Sequence, residues 1–202
     1  MHEIELKAHL EHPEKAEVLL SRIADFSVRC TKTDRYWTLG EKTVRVRREL
    51  IGDKETVFVT HKQKTYTGTI ETNRELEFEL AAASVPVFTE MLESLGMICT
   101  AEKQKDTKVF VPHSSLFSAD ILEDTHSVSA ELSFIHPIGH FLEIEVLYAD
   151  EGSDIVVSER HIRNARIIFD TLLSTLEIPQ SAIEIRPYNE LLACRCRVSL
   201  KI

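Results

Sequence analysis

The chain has 202 residues, a formal net charge of −9 and an ordinary apolar fraction of 43%, enough material for one domain with a sizeable core. The acidic balance argues against nucleic acid as the main partner, because phosphate-backbone contacts need a basic surface, but it leaves room for a few inward-facing cations that hold a small phosphorylated ligand. No apolar run is long enough to span a bilayer.

The N-terminus carries glutamates where a signal peptide would carry lysines ahead of an apolar run, so no secretory signal is expected. Cys30, Cys99, Cys194 and Cys196 form no Cys-x-x-Cys pair and have no metal-finger spacing. They read as reduced thiols of a cytoplasmic protein.

Met1 to Lys7 reads as a strand with Glu3, Glu5 and Lys7 on one face and Ile4 and Leu6 on the other. His12 to Ile23 follows as a helix, with Pro13 at a first helical position and Ala16, Leu19, Leu20 and Ile23 on its apolar face. Ser27 to Trp37, Thr43 to Leu50, Thr56 to Lys64 and Asn73 to Leu80 read as strands joined by turns, an antiparallel meander. Ser84 opens a second helix, with Val87, Phe88, Met91, Leu92 and Leu95 on one side and Gly96 as its stop. Met97 to Lys105 and Lys108 to Val111 are predicted as two strands, and the stretch from Pro112 to Pro137 as a further pair. Phe141 to Tyr148 is a strand and Ser158 to Leu176 the longest helix. The tail is assigned only a short helix at Tyr188 to Leu192. No repeat or linker stands out, so residues 1–202 are expected to form a single domain.

Side-chain parity carries the functional signal. Arg45 and Arg47 share a face, as do Lys62 and Lys64, Glu75, Glu77 and Glu79, Lys103 and Lys105, and Glu143 and Glu145. The alternate positions are largely apolar. A sheet with one face in water would produce such alternation, but it would interleave the signs of charge along each strand. Here the signs are segregated by strand, which makes like-charge neighbours repel unless an opposite strand or a ligand compensates. Two arrangements fit: a solvated sheet, or a tunnel with charged faces inward and apolar faces under the helices.

These residues also resemble the CYTH superfamily, which includes class IV (CyaB-type) adenylyl cyclases, thiamine triphosphatases and inorganic triphosphatases. Glu3-Ile-Glu-Leu-Lys7 resembles its Glu-x-Glu-x-Lys signature. Thr33 to Trp37, Val44 to Arg47, Val59 to Lys62, Arg74 to Leu80, Lys103 to Lys105, Gly139 to Glu145 and Tyr188 to Leu192 resemble its later elements in the family order. The resemblance implies an α+β fold, a closed antiparallel eight-stranded β-barrel (the triphosphate tunnel) with helices packed outside. It further implies a metal-dependent enzyme, closest in look to the adenylyl cyclases that convert ATP to cyclic AMP and pyrophosphate. A triphosphatase acting on thiamine triphosphate, a nucleoside triphosphate or tripolyphosphate is the alternative, and a non-catalytic polyphosphate- or nucleotide-binding module a second.

On that reading Arg45, Arg47, Lys62, Lys103 and Lys105 bind the phosphates, Glu3, Glu5, Glu143 and Glu145 hold Mg²⁺ or Mn²⁺, and Lys7 touches the reacting phosphate. Glu75 and Glu77 orient the tunnel cations. His61 is expected to face outward, His9 and His12 to lie on the surface, and Tyr36 and Trp37 either to stack on a base or to pack in the core. Family members often pair through their barrels, which makes a homodimer one expectation. One departure stands out: the family has an aspartate about ten residues before its closing-strand glutamate, and that place falls on Ser133, with Glu131 as a stand-in.

Overall fold

The computed structural model describes residues 2–67, 70–148 and 158–192, with side chains at all of these except 62–67, 73 and 74. Eight strands, β1 (His2–His9), β2 (Ala24–Leu39), β3 (Lys42–Ile51), β4 (Lys54–Thr67), β5 (Ile70–Leu80), β6 (Ile98–Pro112), β7 (Thr125–Ile135) and β8 (Gly139–Tyr148), pair antiparallel in the order β1-β5-β4-β3-β2-β6-β7-β8, and β8 returns to β1. The seam is uneven. Among the described residues, β1 meets β5 over four residue pairs but β8 over eight. The architecture is thus an antiparallel α+β fold whose sheet is deeply curled and fastened most weakly along β1–β5.

The helices are α1 (Pro13–Leu20), α2 (Val85–Ser94), α3 (Ala119–Leu122) and α4 (Glu159–Thr175). They cover the outside of the sheet because the apolar parity of each strand points there. Ile4, Leu6 and Ala8 of β1, Ala130 and Leu132 of β7, and Leu142, Ile144 and Val146 of β8 pack in one cluster with Ile168, Phe169, Leu172 and Leu173 of α4. Each such fully buried aliphatic or aromatic side chain contributes about 1.5–3 kcal/mol. A second cluster joins Trp37, Val46, Val57 and Val59 to Val85 and Leu92 of α2. Ser158 caps α4, its Oγ accepting from the His161 N–H at 3.1 Å. Gly96, at φ +87°, ends the turn after α2 as the sequence predicts. No helix among the described residues is long and apolar enough to cross a membrane.

Two sequence expectations are corrected. The predicted break at Asp106-Thr107 does not exist, and β6 is one continuous strand. Asp106 accepts from Thr31 Oγ1 at 2.7 Å, and Thr107, 1% exposed, points inward to Ser133 Oγ at 3.1 Å. These polar side chains bond across strands instead of making a turn. The stretch before Pro137 holds one strand, β7, preceded by the short α3, rather than a strand pair. The short C-terminal helix begins where expected, at residues 188–192. The side chains of Lys62 and Lys64, and residues Cys194 and Cys196, lie outside the described ones.

Candidate active site

The inward parity of the strands lines a cavity of about 1060 Å³. Glu3, Glu5 and Lys7 enter it from β1, Lys32 and Tyr36 from β2, Arg45 and Arg47 from β3, Glu75 and Glu77 from β5, Lys103 and Lys105 from β6, and Glu143 and Glu145 from β8. The structure therefore brings together every described side chain among the candidate site residues. Lys62 is placed only by its backbone, opposite Glu75 in the β4–β5 ladder.

The carboxylates gather where β1 and β8 run side by side. Glu5 pairs with Glu145 and Lys7 with Glu143 in register. Glu3, Glu5 and Glu145 each bring a carboxylate oxygen within 4.8 Å of the other two, and Glu131, Glu143 and Glu145 do the same, so Glu145 belongs to both groups. Burial and the neighbouring Glu131 and Glu5 push the Glu145 carboxyl above the ordinary range, against the pull of Lys32 and Lys105. Three hard oxygen donors crowded against their own repulsion suit a small divalent cation.

The basic wall is organised by Asp34. It is fully buried and accepts from Arg47 twice, Nε to Oδ1 at 2.7 Å and Nη2 to Oδ2 at 3.0 Å, while Lys103 Nζ lies 3.1 Å from Oδ2. Burial alone would raise its pKa, but Arg47 and Lys103 outweigh that and hold the carboxyl well below the usual range. Burial has the upper hand at Lys103, bringing its ammonium down to about 8 despite Asp34. Arg45 Nη2 donates to Thr60 Oγ1 at 3.0 Å and reaches Glu77 Oε2 at 3.4 Å, with Thr60 donating to the same oxygen at 2.6 Å. Glu77 thus shares Arg45 and Thr60 as partners on the cavity wall.

Lys105 differs from the other cations. Its Nζ donates to Glu131 Oε2 at 2.7 Å and also to Glu143, so its charge is committed to protein carboxylates, which keep it protonated against the cost of burial. Lys32 Nζ grips the other oxygen of Glu131 at 2.7 Å. Lys7 Nζ donates to the Arg186 carbonyl at 2.7 Å and lies over the Tyr188 ring.

Tyr36 and Trp37 divide by parity: Trp37 is in the core under α2, while Tyr36 lines the cavity with its hydroxyl 3.2 Å from Asp34. His61 shares the parity of Val44 and Leu76 and bonds the Thr43 carbonyl at 2.9 Å, yet it also borders the cavity. His9, half exposed, pairs with Glu184 at 3.0 Å.

The sequence reading had no site role for Lys32, Asp34 or Tyr188, and named Glu131 only as a stand-in. Lys32, Asp34 and Tyr36 alternate along β2, a signal of the same kind as Arg45/Arg47. Glu131 sits opposite Glu143 in the β7–β8 ladder, two residues before Ser133, which bonds Thr107 instead. One inward position away, Glu131 carries a buried carboxylate held by Lys32 and Lys105.

No protein-family profile matches the chain, and neither does any curated protein sequence. Solved structures do. The PH1819 protein of Pyrococcus horikoshii OT3 is 20% identical, with a TM-score of 0.76 over 96% of this chain and 99% of its own. A proposed adenylate cyclase from Vibrio parahaemolyticus is 17% identical, with a TM-score of 0.67 over 96% and 98%. HpAC1 from Hippeastrum, a proposed adenylyl cyclase described as having a dominant triphosphatase activity, is 13% identical, with a TM-score of 0.57 over 91% and 90%. In fold the chain stands with these proteins.

Proposed function

We propose that the curled sheet is a triphosphate tunnel and that the protein is a metal-dependent enzyme acting on a triphosphate, in the first instance a class IV-type adenylyl cyclase. One observation carries this reading: a single cavity sets the Glu3, Glu5 and Glu145 cluster against Arg45, Arg47 and Lys103. A triphosphate carries about four negative charges at neutral pH and needs such a wall, with planar arginine forks for its oxygens. The cavity of about 1060 Å³ lies at the upper end of the range that holds drug-sized ligands, leaving room for an organic group beside the phosphates.

Glu3, Glu5 and Glu145 fit Mg²⁺ or Mn²⁺ by donor type and spacing. The chemistry such a cation supplies when bound is neutralisation and polarisation of phosphate oxygens. The protein's own groups do the rest. Arg45 and Arg47 orient the phosphates, Lys103 adds a point charge, and Lys7 faces the reacting phosphate or its attacking oxygen. In the cyclase the ribose 3′-oxygen bonds to the α-phosphorus and the bond to the bridging oxygen breaks, releasing pyrophosphate. In a triphosphatase, water bonds to the terminal phosphorus, the bond from that phosphorus to its bridging oxygen breaks, and orthophosphate and the diphosphate are released. The triphosphatase is the second reading, favoured by the activity described for the Hippeastrum protein.

Incubating the protein with Mg²⁺ or Mn²⁺ and ATP, thiamine triphosphate or tripolyphosphate, with products identified by mass spectrometry, tests both. Cyclic AMP with pyrophosphate supports the cyclase, and orthophosphate the triphosphatase. Binding without turnover leaves a non-catalytic module, and absence of binding removes the tunnel reading.

A further inference from the structure

Lys7 is held by a segment 179 residues further along the chain. Ile183 bridges Ala8, the Glu184 N–H donates to the Lys7 carbonyl at 2.8 Å, and Lys7 Nζ donates to the Arg186 carbonyl at 2.7 Å. Glu184 fastens the segment further by accepting from Arg186 Nε at 2.9 Å and pairing with His9 at 3.0 Å. The segment then places Tyr188 in the cavity wall. Lys7 Nζ lies 4.5 Å from the centroid of its ring and Lys103 Nζ 4.6 Å. The ring is itself fixed, by its hydroxyl donating to Glu143 and by an edge-on contact with Phe141 at 5.0 Å and 84°.

We propose that Tyr188 is a positioning residue, whose clamped ring sets where the ammoniums of Lys7 and Lys103 stand in the triphosphate site. The proposal rests on the triphosphate reading above. Its physical basis is the difference between a ring and a carboxylate as a holder of cations. At Lys105, Glu131 and Glu143 hold the ammonium by cancelling its charge. The quadrupole of an aromatic face attracts an ammonium but carries no net charge, so the ring adds orientation to both ammoniums without itself cancelling their charge; at Lys103 it acts beside Asp34, 3.1 Å away. A lysine is a flexible stem ending in a mobile charge, and ordering it in advance removes an entropy loss from the reacting complex. Such an interaction acts on turnover more than on ground-state binding.

The test is steady-state kinetics on the best triphosphate found for the wild type, with Tyr188→Leu, Tyr188→Met and Tyr188→Phe, each checked for fold by circular dichroism. The ring-less Leu and Met variants keep apolar contact with Phe141, and Met adapts to irregular space. Both are expected to lose roughly tenfold or more in kcat with KM within about threefold, while Phe, which keeps the π face, retains kcat within about threefold. Ring-less variants that fold and turn over within about twofold of wild type overturn the proposal. So does a Phe variant that loses about tenfold or more in kcat against wild type, which would assign the effect to the hydroxyl and Glu143; this arm stands even if both ring-less variants fail to fold. A wild type inert on every triphosphate defeats the enzyme reading and this proposal with it, whereas an active wild type with indifferent variants defeats only the role of Tyr188.

Discussion

Glu145 stands directly opposite Glu5 in the β1–β8 ladder. Glu71 lies opposite Glu5 on its other side, in the β1–β5 ladder, so three carboxylate-bearing residues follow one another across adjacent strands. Like charges placed this way are destabilising in themselves. The raised pKa of Glu145, driven by burial and by Glu131 and Glu5, is the visible trace of that tension.

Glu5→Gln should accordingly separate function from stability. In wild type, saturating Mg²⁺ or Mn²⁺ is expected to raise the melting temperature by several degrees, since a ligand that binds only the folded state stabilises it. In Glu5→Gln that rise and the metal-dependent turnover should be lost, with the metal-free melting temperature within about 2–4 °C of wild type, equivalent to about 1 kcal/mol. Differential scanning fluorimetry with and without the cation reads both quantities. A variant that unfolds instead makes Glu5 structural.

Asp34→Asn keeps shape but removes the anion that holds Arg47 and Lys103. Breaking a buried pair by removing one partner costs about 3–5 kcal/mol, because the other charge stays buried. Urea unfolding should show a loss of that order. Arg35→Ala is the control, since Arg35 and Glu102 also pair at 2.7 Å but with side chains 58% and 56% exposed. An exposed pair is worth about 0–1 kcal/mol, and its loss should be hard to measure.

Lys103 gives the site a pH limit. Its pKa is lowered to about 8, chiefly by burial, with Lys105 and Arg47 adding repulsion and Asp34 and Glu143 opposing. Below that value the ammonium is charged and contributes to triphosphate binding; above it the charge is lost, so affinity for tripolyphosphate should fall as pH rises through about 8. The effect on stability has the opposite sense. Between about 8 and the ordinary lysine value of about 10.4 the unfolded chain binds the extra proton, so this group's burial penalty is relieved as pH rises. Calorimetric titration across pH 7–10, in wild type and in Lys103→Arg, checks the binding limb. Arginine keeps its charge over this range, and the break should disappear.

Glu131 and Ser133 separate by the severity of their loss. Glu131→Ala leaves Lys32 buried and deprives Lys105 of one of its two carboxylates, and should destabilise by several kcal/mol. Ser133→Ala removes one hydrogen bond to Thr107 and should cost about 1 kcal/mol. Comparable losses in both would contradict the reading of Glu131 as the buried counter-charge of Lys32 and Lys105.

Much of this was legible in the sequence because a strand has a period of two. Glu3/Glu5/Lys7, Arg45/Arg47 and Glu143/Glu145 lie on strands whose other parity is apolar, and that pattern survives folding unchanged. What was not legible lay where local polarity imitates a turn. Asp106-Thr107 looks like a strand end, yet both side chains find partners on neighbouring strands, at Thr31 and Ser133. Without a continuous β6 and a located β7, Glu131 could not be placed opposite Glu143. Tyr188 was visible only as the start of a terminal element; its contacts with Lys7, Lys103 and Glu143 are long-range, and no local spacing encodes them.

The order of synthesis gives the β1–β8 ladder a further meaning. β1 leaves the ribosome long before its partner β8, and domains of this kind gain their long-range pairings late. Until residues 139–148 dock, Glu3 and Glu5 lack Glu145, and until residues 183–188 follow, the Lys7 ammonium lacks the Tyr188 face. A nascent or half-folded chain therefore has no assembled carboxylate cluster with which to capture a cation. The site comes into being only with the finished sheet.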